Sequence, residues 1–128
     1  MLYFYPKDNT PGCTIEGKDF SKYLEEFAKV NAQVIGVSSD SIESHCNFIN
    51  KQGLKVMLLS DKKKTFLKKI GVLGKKSMFG KAFDEIIRTT LLIDEKEIIK
   101  EIWENIKLSG HAEAVLEKIR IARKNPGK

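Results

Sequence analysis

The sequence is short of several things. It has two cysteines, two histidines, three prolines and one tryptophan in 128 residues. The cysteines, Cys13 and Cys46, lie 33 positions apart and form no C-x-x-C pair. That excludes a disulfide framework, a zinc knuckle and a dithiol redox motif. His45 and His111 lack the mutual spacing of a helical metal pair, so neither a metal nor a cofactor is expected. No apolar run approaches the ~18 residues of a membrane span. Met1 leads into apolar residues without a basic segment or a small-residue cleavage site, so the expected location is the cytoplasm, with no membrane partner. Internal repeats, linkers and low-complexity stretches are also missing.

What is present is ordinary for a globular chain: 41% hydrophobic and 31% charged residues, with a net charge of +6. The length fits one domain, residues 1–128, with a core of its own. Much of the positive charge sits on Lys62, Lys63, Lys64, Lys68, Lys69, Lys75, Lys76 and Lys81. Such a stripe can touch nucleic acid, but no aromatic residues interleave with it. It reads as a solvated surface, and nucleic acid is not an expected partner.

The apolar pattern alternates between strands and helices. Leu2 to Tyr5 read as a buried strand stopped by Pro6. From Pro11 onward, Phe20, Tyr23, Leu24 and Phe27 recur at helical spacing. Gln33 to Val37 read as a second strand. Ser41 opens a helix that Gly53 stops, on which Ile42, Cys46 and Ile49 share a face. That face makes a buried core cysteine a serious alternative at Cys46. Val56 to Asp61 read as a third strand, Lys62 to Ile70 as a helix and Gly71 to Lys81 as a loop. Glu85 to Asp94 and Ile98 to Trp103 form a hairpin around Asp94–Glu97. Ser109 caps a last helix with a stripe of Ala112, Val115, Leu116, Ile119 and Ala122, ended by Asn125-Pro126-Gly127. The order β-α-β-α-β-α-β-β-α implies parallel crossovers followed by an antiparallel hairpin. It matches an α/β, thioredoxin-like fold: a central mixed β-sheet flanked by helices.

Chemistry concentrates in YFYPKDNTPGCT, Tyr3 to Thr14. Thr10 is placed to cap a helix, Pro11 to occupy its first position and Cys13 to fall in its first turn. There a thiol meets unpaired N–H groups and the positive end of the helix dipole. Both favour the nucleophilic thiolate. Placement alone weighs equally for a small buried residue at a strand–helix junction. Arg88 is a lone charge in an apolar strand, which is costly unless paired or turned outward.

The motif P-x-x-x-T-x-x-C, at Pro6, Thr10 and Cys13, resembles the active-site motif of the peroxiredoxins. The string YFYPKDNTPGCTIEG is similar to the bacterioferritin comigratory protein branch, also called peroxiredoxin Q. The resemblance continues through GVSSDSIESH, LLSD, KSMFGKAFDEIIRTTLLID and SGHAEAVLEKI, covering nearly the whole chain. It implies a peroxidase that reduces hydrogen peroxide and organic hydroperoxides. Cys13 would be the peroxidatic nucleophile that becomes a sulfenic acid. By the same resemblance Thr10 orients peroxide and thiolate, Pro6 shields the pocket, and Arg88 holds the thiolate and polarises the peroxide. Glu16 would orient Arg88. Thioredoxin or a similar dithiol would be the reductant, and the protein a monomer or weak homodimer.

Two departures stand out. Many members of the branch carry a resolving cysteine where this chain has Lys18. Cys46 is the other thiol, on a helix that some members use for a resolving cysteine. It is a candidate for that role by local unwinding toward Cys13, although the position of the branch corresponds to a place nearer Ile49. Family members also have an N-terminal segment of about thirty residues before the first strand of this chain, and its loss would leave sheet edge or apolar surface uncovered. Two other classes of function compete with the peroxidase: a non-catalytic thioredoxin-fold module for redox sensing or partner binding, and a basic nucleic-acid binder.

Overall fold

A computed structural model of the protein describes residues 1–78, 81–104 and 106–124. Its elements run β1 (Leu2–Phe4), α1 (Pro11–Lys22), α2 (Leu24–Lys29), β2 (Ile35–Ser38), α3 (Ile42–Gln52), β3 (Met57–Ser60), α4 (Thr65–Ile70), β4 (Leu73–Met78), β5 (Lys81–Ile86), β6 (Thr89–Ile93), β7 (Ile99–Trp103) and α5 (His111–Lys124). Five strands form one mixed sheet in the order β3-β2-β1-β6-β7. β1, β2 and β3 are parallel, while β6 runs antiparallel to β1 and β7 antiparallel to β6. This is the thioredoxin-like mixed sheet with flanking helices that the order of apolar segments implies.

Strand periodicity divides the core in two. Tyr3 and Tyr5 point to one face, where they pack with Cys13, Phe20, Phe48 and Val115. Phe4 points to the other, with Val37, Leu67, Val72 and Leu91. β1 is thus buried on both faces, and the chain leaves its end directly into the Pro6–Thr10 loop. At Gly36, a Cβ would meet the Tyr3 ring at 2.6 Å, so glycine lets the two strands carry that ring between them.

Local signals set most boundaries. The Ser41 hydroxyl accepts from Ser44 N at 3.1 Å, and Gly53 ends α3 with φ 65°. α4 starts later than its lysine run suggests. Lys64 takes φ 60°, and the Asp61 carboxylate accepts from Leu67 N at 2.8 Å. The first long helix breaks at Tyr23 into α1 and α2. α5 begins at His111, after Gly110 with φ 76°, so glycine rather than Ser109 stands before the helix. Ala112, Val115, Leu116 and Ile119 are buried as the stripe requires, but Ala122 is exposed. The Asn125-Pro126-Gly127 stop lies outside the described residues.

Two segments differ from the sequence reading. Within Gly71 to Lys81, Leu73–Met78 and Lys81 are strand rather than loop: β4 and β5 pair antiparallel from Leu73↔Ile86 to Met78↔Lys81. A ladder of main-chain hydrogen bonds forms there without an apolar alternation to announce it. Glu85 to Asp94 is accordingly two strands, β5 ending at Ile86 and β6 starting at Thr89. Arg88 sits at the joint, outside any strand. No described helix is long and apolar enough to cross a membrane.

Candidate active site

Thr10 has the extended backbone of an N-cap, with φ −87° and ψ 155°, and Pro11 occupies the first helical position. Its side chain does not cap. The Thr10 hydroxyl donates to the Lys7 carbonyl at 2.8 Å, while its own carbonyl accepts from Thr14 N at 2.9 Å. The hydroxyl therefore keeps its lone pairs free to accept. Pro6, at the head of the loop, is half-buried.

Cys13 follows in the first turn of α1 and is only 2% exposed. Glu16 lies three residues on, one turn along the same helix face. Arg88 reaches both from the β5–β6 joint. Its Nη2 donates to Cys13 Sγ at 3.3 Å, and its Nη1 donates to Glu16 Oε1 at 2.6 Å. One planar guanidinium thus spans thiol and carboxylate, a geometry its rigid fork favours. Burial opposes the charge on Arg88, but Glu16 and Cys13 overcome it and hold its pKa above the ordinary value. For Glu16 burial wins and lifts the carboxyl to about 7, against the pull of Arg88. Glu16 Oε2 has no hydrogen-bond partner among the described residues, in keeping with that cost.

Residues 1–102 match the AhpC/TSA family. Bcp of Helicobacter pylori strain J99, described as a putative peroxiredoxin, is 46% identical over 119 residues, 93% of this chain and 78% of that protein. The chain is a peroxiredoxin. Peroxiredoxin Bcp of Xanthomonas campestris is 43% identical over 94% of this chain and 75% of its own length. A solved structure of peroxiredoxin Q from the same organism superposes with a TM-score of 0.90 at 43% identity, covering 95% of this chain and 77% of that one. Another, of the Xanthomonas bacterioferritin comigratory protein with trapped intermediates, has a TM-score of 0.89 and concerns that protein's alkyl peroxide reduction. This peroxiredoxin belongs to the same branch and is a thiol-dependent peroxidase, with a peroxide as substrate and a thiol as reductant.

Several residues around the peroxiredoxin centre were not singled out by sequence reasoning. A Cβ on Gly12 would lie 3.1 Å from Arg88 Nη2 and 3.2 Å from Leu108 Cδ1, so glycine makes the room in which the guanidinium sits. Its place directly before Cys13 was the available signal. His111 is buried and hydrogen-bonded through Nε2 to Thr90 Oγ1 at 2.8 Å. Burial first, and Arg88 second, lower its pKa to about 4. It therefore stays neutral and adds no repulsion against Arg88. Behind the loop, Asp8, Asp40 and His45 bring possible ligand atoms within 4.8 Å of one another. These atoms already have hydrogen-bond partners, so the group is a bonded polar network.

At Cys46 the buried-core alternative is overturned. It is a free thiol and exposed, so it is not a core residue. α3 buries His45 and Phe48 instead, and Ile42 is 74% exposed. Ile49 of that face still packs, half-buried, against the core, while Ile42 and Cys46 turn to solvent and His45 meets its polar partners beneath the helix.

Proposed function

We propose that Cys13 is the peroxidatic nucleophile of this peroxidase. The observation that carries the reading is the Arg88 guanidinium 3.3 Å from the Cys13 sulfur. Cys13 reacts as the thiolate. Its electron pair attacks the nearer peroxide oxygen, the O–O bond breaks, and the departing alkoxide or hydroxide takes a proton. The products are Cys13 sulfenic acid and an alcohol or water. Negative charge moves from sulfur to the leaving oxygen, and a donor already fixed in place stabilises it there. Arg88 is that donor, and Glu16 holds it by the second nitrogen. Thr10, its proton committed to Lys7, accepts from the peroxide O–H. Pro6 shields the pocket.

The substrates are hydrogen peroxide and organic hydroperoxides. One thiol of the reductant condenses with the sulfenic acid, releasing water, and a second thiol releases Cys13. Thioredoxin or a similar dithiol fills this role in the cytoplasm, where thiols are kept reduced. Cys46 faces solvent while Cys13 is buried, which favours an external thiol over Cys46 as the resolving group. The chain works as one domain, and as a monomer or weak homodimer.

Peroxide consumption with a thioredoxin system tests the assignment. Cys13→Ser should fall to the uncatalysed background; full activity in that variant would sink it.

A further inference from the structure

The loop between β1 and α1 must hold Thr10 and the start of α1 in one place, and Asp8 is its anchor. The buried Asp8 carboxylate takes the Tyr5 hydroxyl on Oδ1 at 2.7 Å. On Oδ2 it takes the Ser44 hydroxyl at 2.8 Å and meets His45 Nδ1 at 2.7 Å. Its own N–H donates to Asp40 Oδ2 at 2.9 Å. Asn9 then turns the chain with φ 60°, and the Thr10 hydroxyl closes back on Lys7. A turn with a left-handed non-glycine residue persists where its surroundings over-determine it.

His45 reaches this carboxylate from α3, and its other nitrogen, Nε2, lies 3.0 Å from the Leu59 carbonyl of β3. A carbonyl only accepts, and so does a carboxylate. Both ring nitrogens must carry protons for both bonds to form. The arrangement is thus a buried imidazolium–carboxylate pair joining the loop, α3 and β3. The polar groups around the ring are Asp8, the Tyr5 hydroxyl at 3.3 Å, the Leu59 carbonyl and, further off, Asp40. Burial opposes the charge on His45, but Asp8, Leu59 and Asp40 outweigh it and raise its pKa. Burial likewise works against ionised Asp8, but hydrogen bonds from His45, Tyr5 and Ser44 prevail and lower its pKa.

We propose that Asp8 and His45 are positioning residues of the peroxidase, whose ion pair fixes the loop that presents Thr10 beside Cys13. This rests on Cys13 and Thr10 having the roles given above. A neutral His45 keeps one ring proton, so one of its two bonds becomes lone pair against lone pair and the loop loosens. The raised value of His45 makes its contribution complete below about 6.5 and lost as pH rises through the folded-state value. The lowered value of Asp8 makes its contribution complete above about 3.9 and lost as pH falls through its folded-state value. The pair is therefore intact on the acid side of neutrality.

The test is single-turnover oxidation of Cys13 by hydrogen peroxide, followed in wild type, His45→Gln, Asp8→Asn and the double variant. The amplitude counts folded, reactive thiol, and the rate constant reports its geometry. Each single change should lower the rate constant about tenfold at full amplitude, the scale of a small misplacement of reacting groups. The double variant should be no slower than the worse single one, as for two halves of one pair. The deficit should shrink as pH rises and wild type loses its own pair. Unchanged rate constants with only a lower melting temperature would make the pair merely structural and overturn the proposal. A nitrogen NMR titration of wild type needs no variant: it should find both His45 nitrogens protonated at about pH 6, and a neutral ring there would also overturn it. Cys13→Ser separates the two readings. If that variant is inert while His45→Gln keeps the wild-type rate, only the positioning role falls. If it still turns over, the nucleophile assignment falls.

Discussion

Replacing Arg88 by methionine keeps much of the side-chain length and removes the guanidinium. Two consequences follow from its bridge between Cys13 and Glu16. The first is catalytic. Loss of one fixed donor to the developing charge lowers the single-turnover rate about 10²- to 10³-fold. The second is a pH-dependent loss of stability, because Glu16 is left buried without its partner. The Glu16 side chain is 1% exposed and that of Arg88 19%, so water cannot replace the lost bonds. At about pH 6 Glu16 is largely protonated in both proteins, and the cost is roughly one hydrogen bond, ~1 kcal/mol. Above about 7 the wild-type carboxyl ionises against Arg88. In the variant burial keeps it protonated, while the unfolded chain releases that proton. The folded variant then binds more protons than its unfolded chain, so its stability falls as pH rises, by ~1.4 kcal/mol per unit. Near pH 8.5 the total approaches ~3 kcal/mol, the lower end for breaking a buried pair. Urea unfolding near pH 6 and pH 8.5, beside quenched-flow thiol oxidation, measures both. A rate within threefold of wild type would refute the role of the guanidinium. A stability loss independent of pH would refute the account of Glu16.

Gly12→Ala should slow Cys13 oxidation about tenfold with little change in melting temperature, because the new methyl displaces a guanidinium that two partners hold in place. Rates at wild-type level would show that Arg88 moves aside freely. After one equivalent of peroxide, a non-reducing mass measurement should find a sulfenic adduct or, with added thiol, a mixed disulfide. An intramolecular loss of two hydrogens would instead make Cys46 the resolving thiol.

Local chemistry in the sequence reached far into this protein. The alternation of apolar strands and amphipathic helices determined the mixed sheet and its parallel half, because burial periodicity is a property of the chain itself. The run from Pro6 to Cys13 determined a helix start with a cysteine in its first turn, since proline restricts the backbone wherever it stands. Ser41 and Gly53 bounded α3 through equally local means, a capping hydroxyl and a residue free to take positive φ. Other features depended on long-range pairing, which leaves no local mark. The β4–β5 hairpin forms by a main-chain ladder without an apolar alternation, and with it Arg88 moves from a strand interior to a joint. Which residues of α3 face inward also depends on such pairing, since buried His45 meets Asp8 and Leu59, 37 and 14 residues away in sequence. With His45 and Phe48 buried, Cys46 faces solvent. The sequence by itself determined which thiol sits at the helix start. The resemblance named Arg88 as the cation for that thiol, but only the tertiary structure brings it to the sulfur, because the contact closes between residues 75 positions apart.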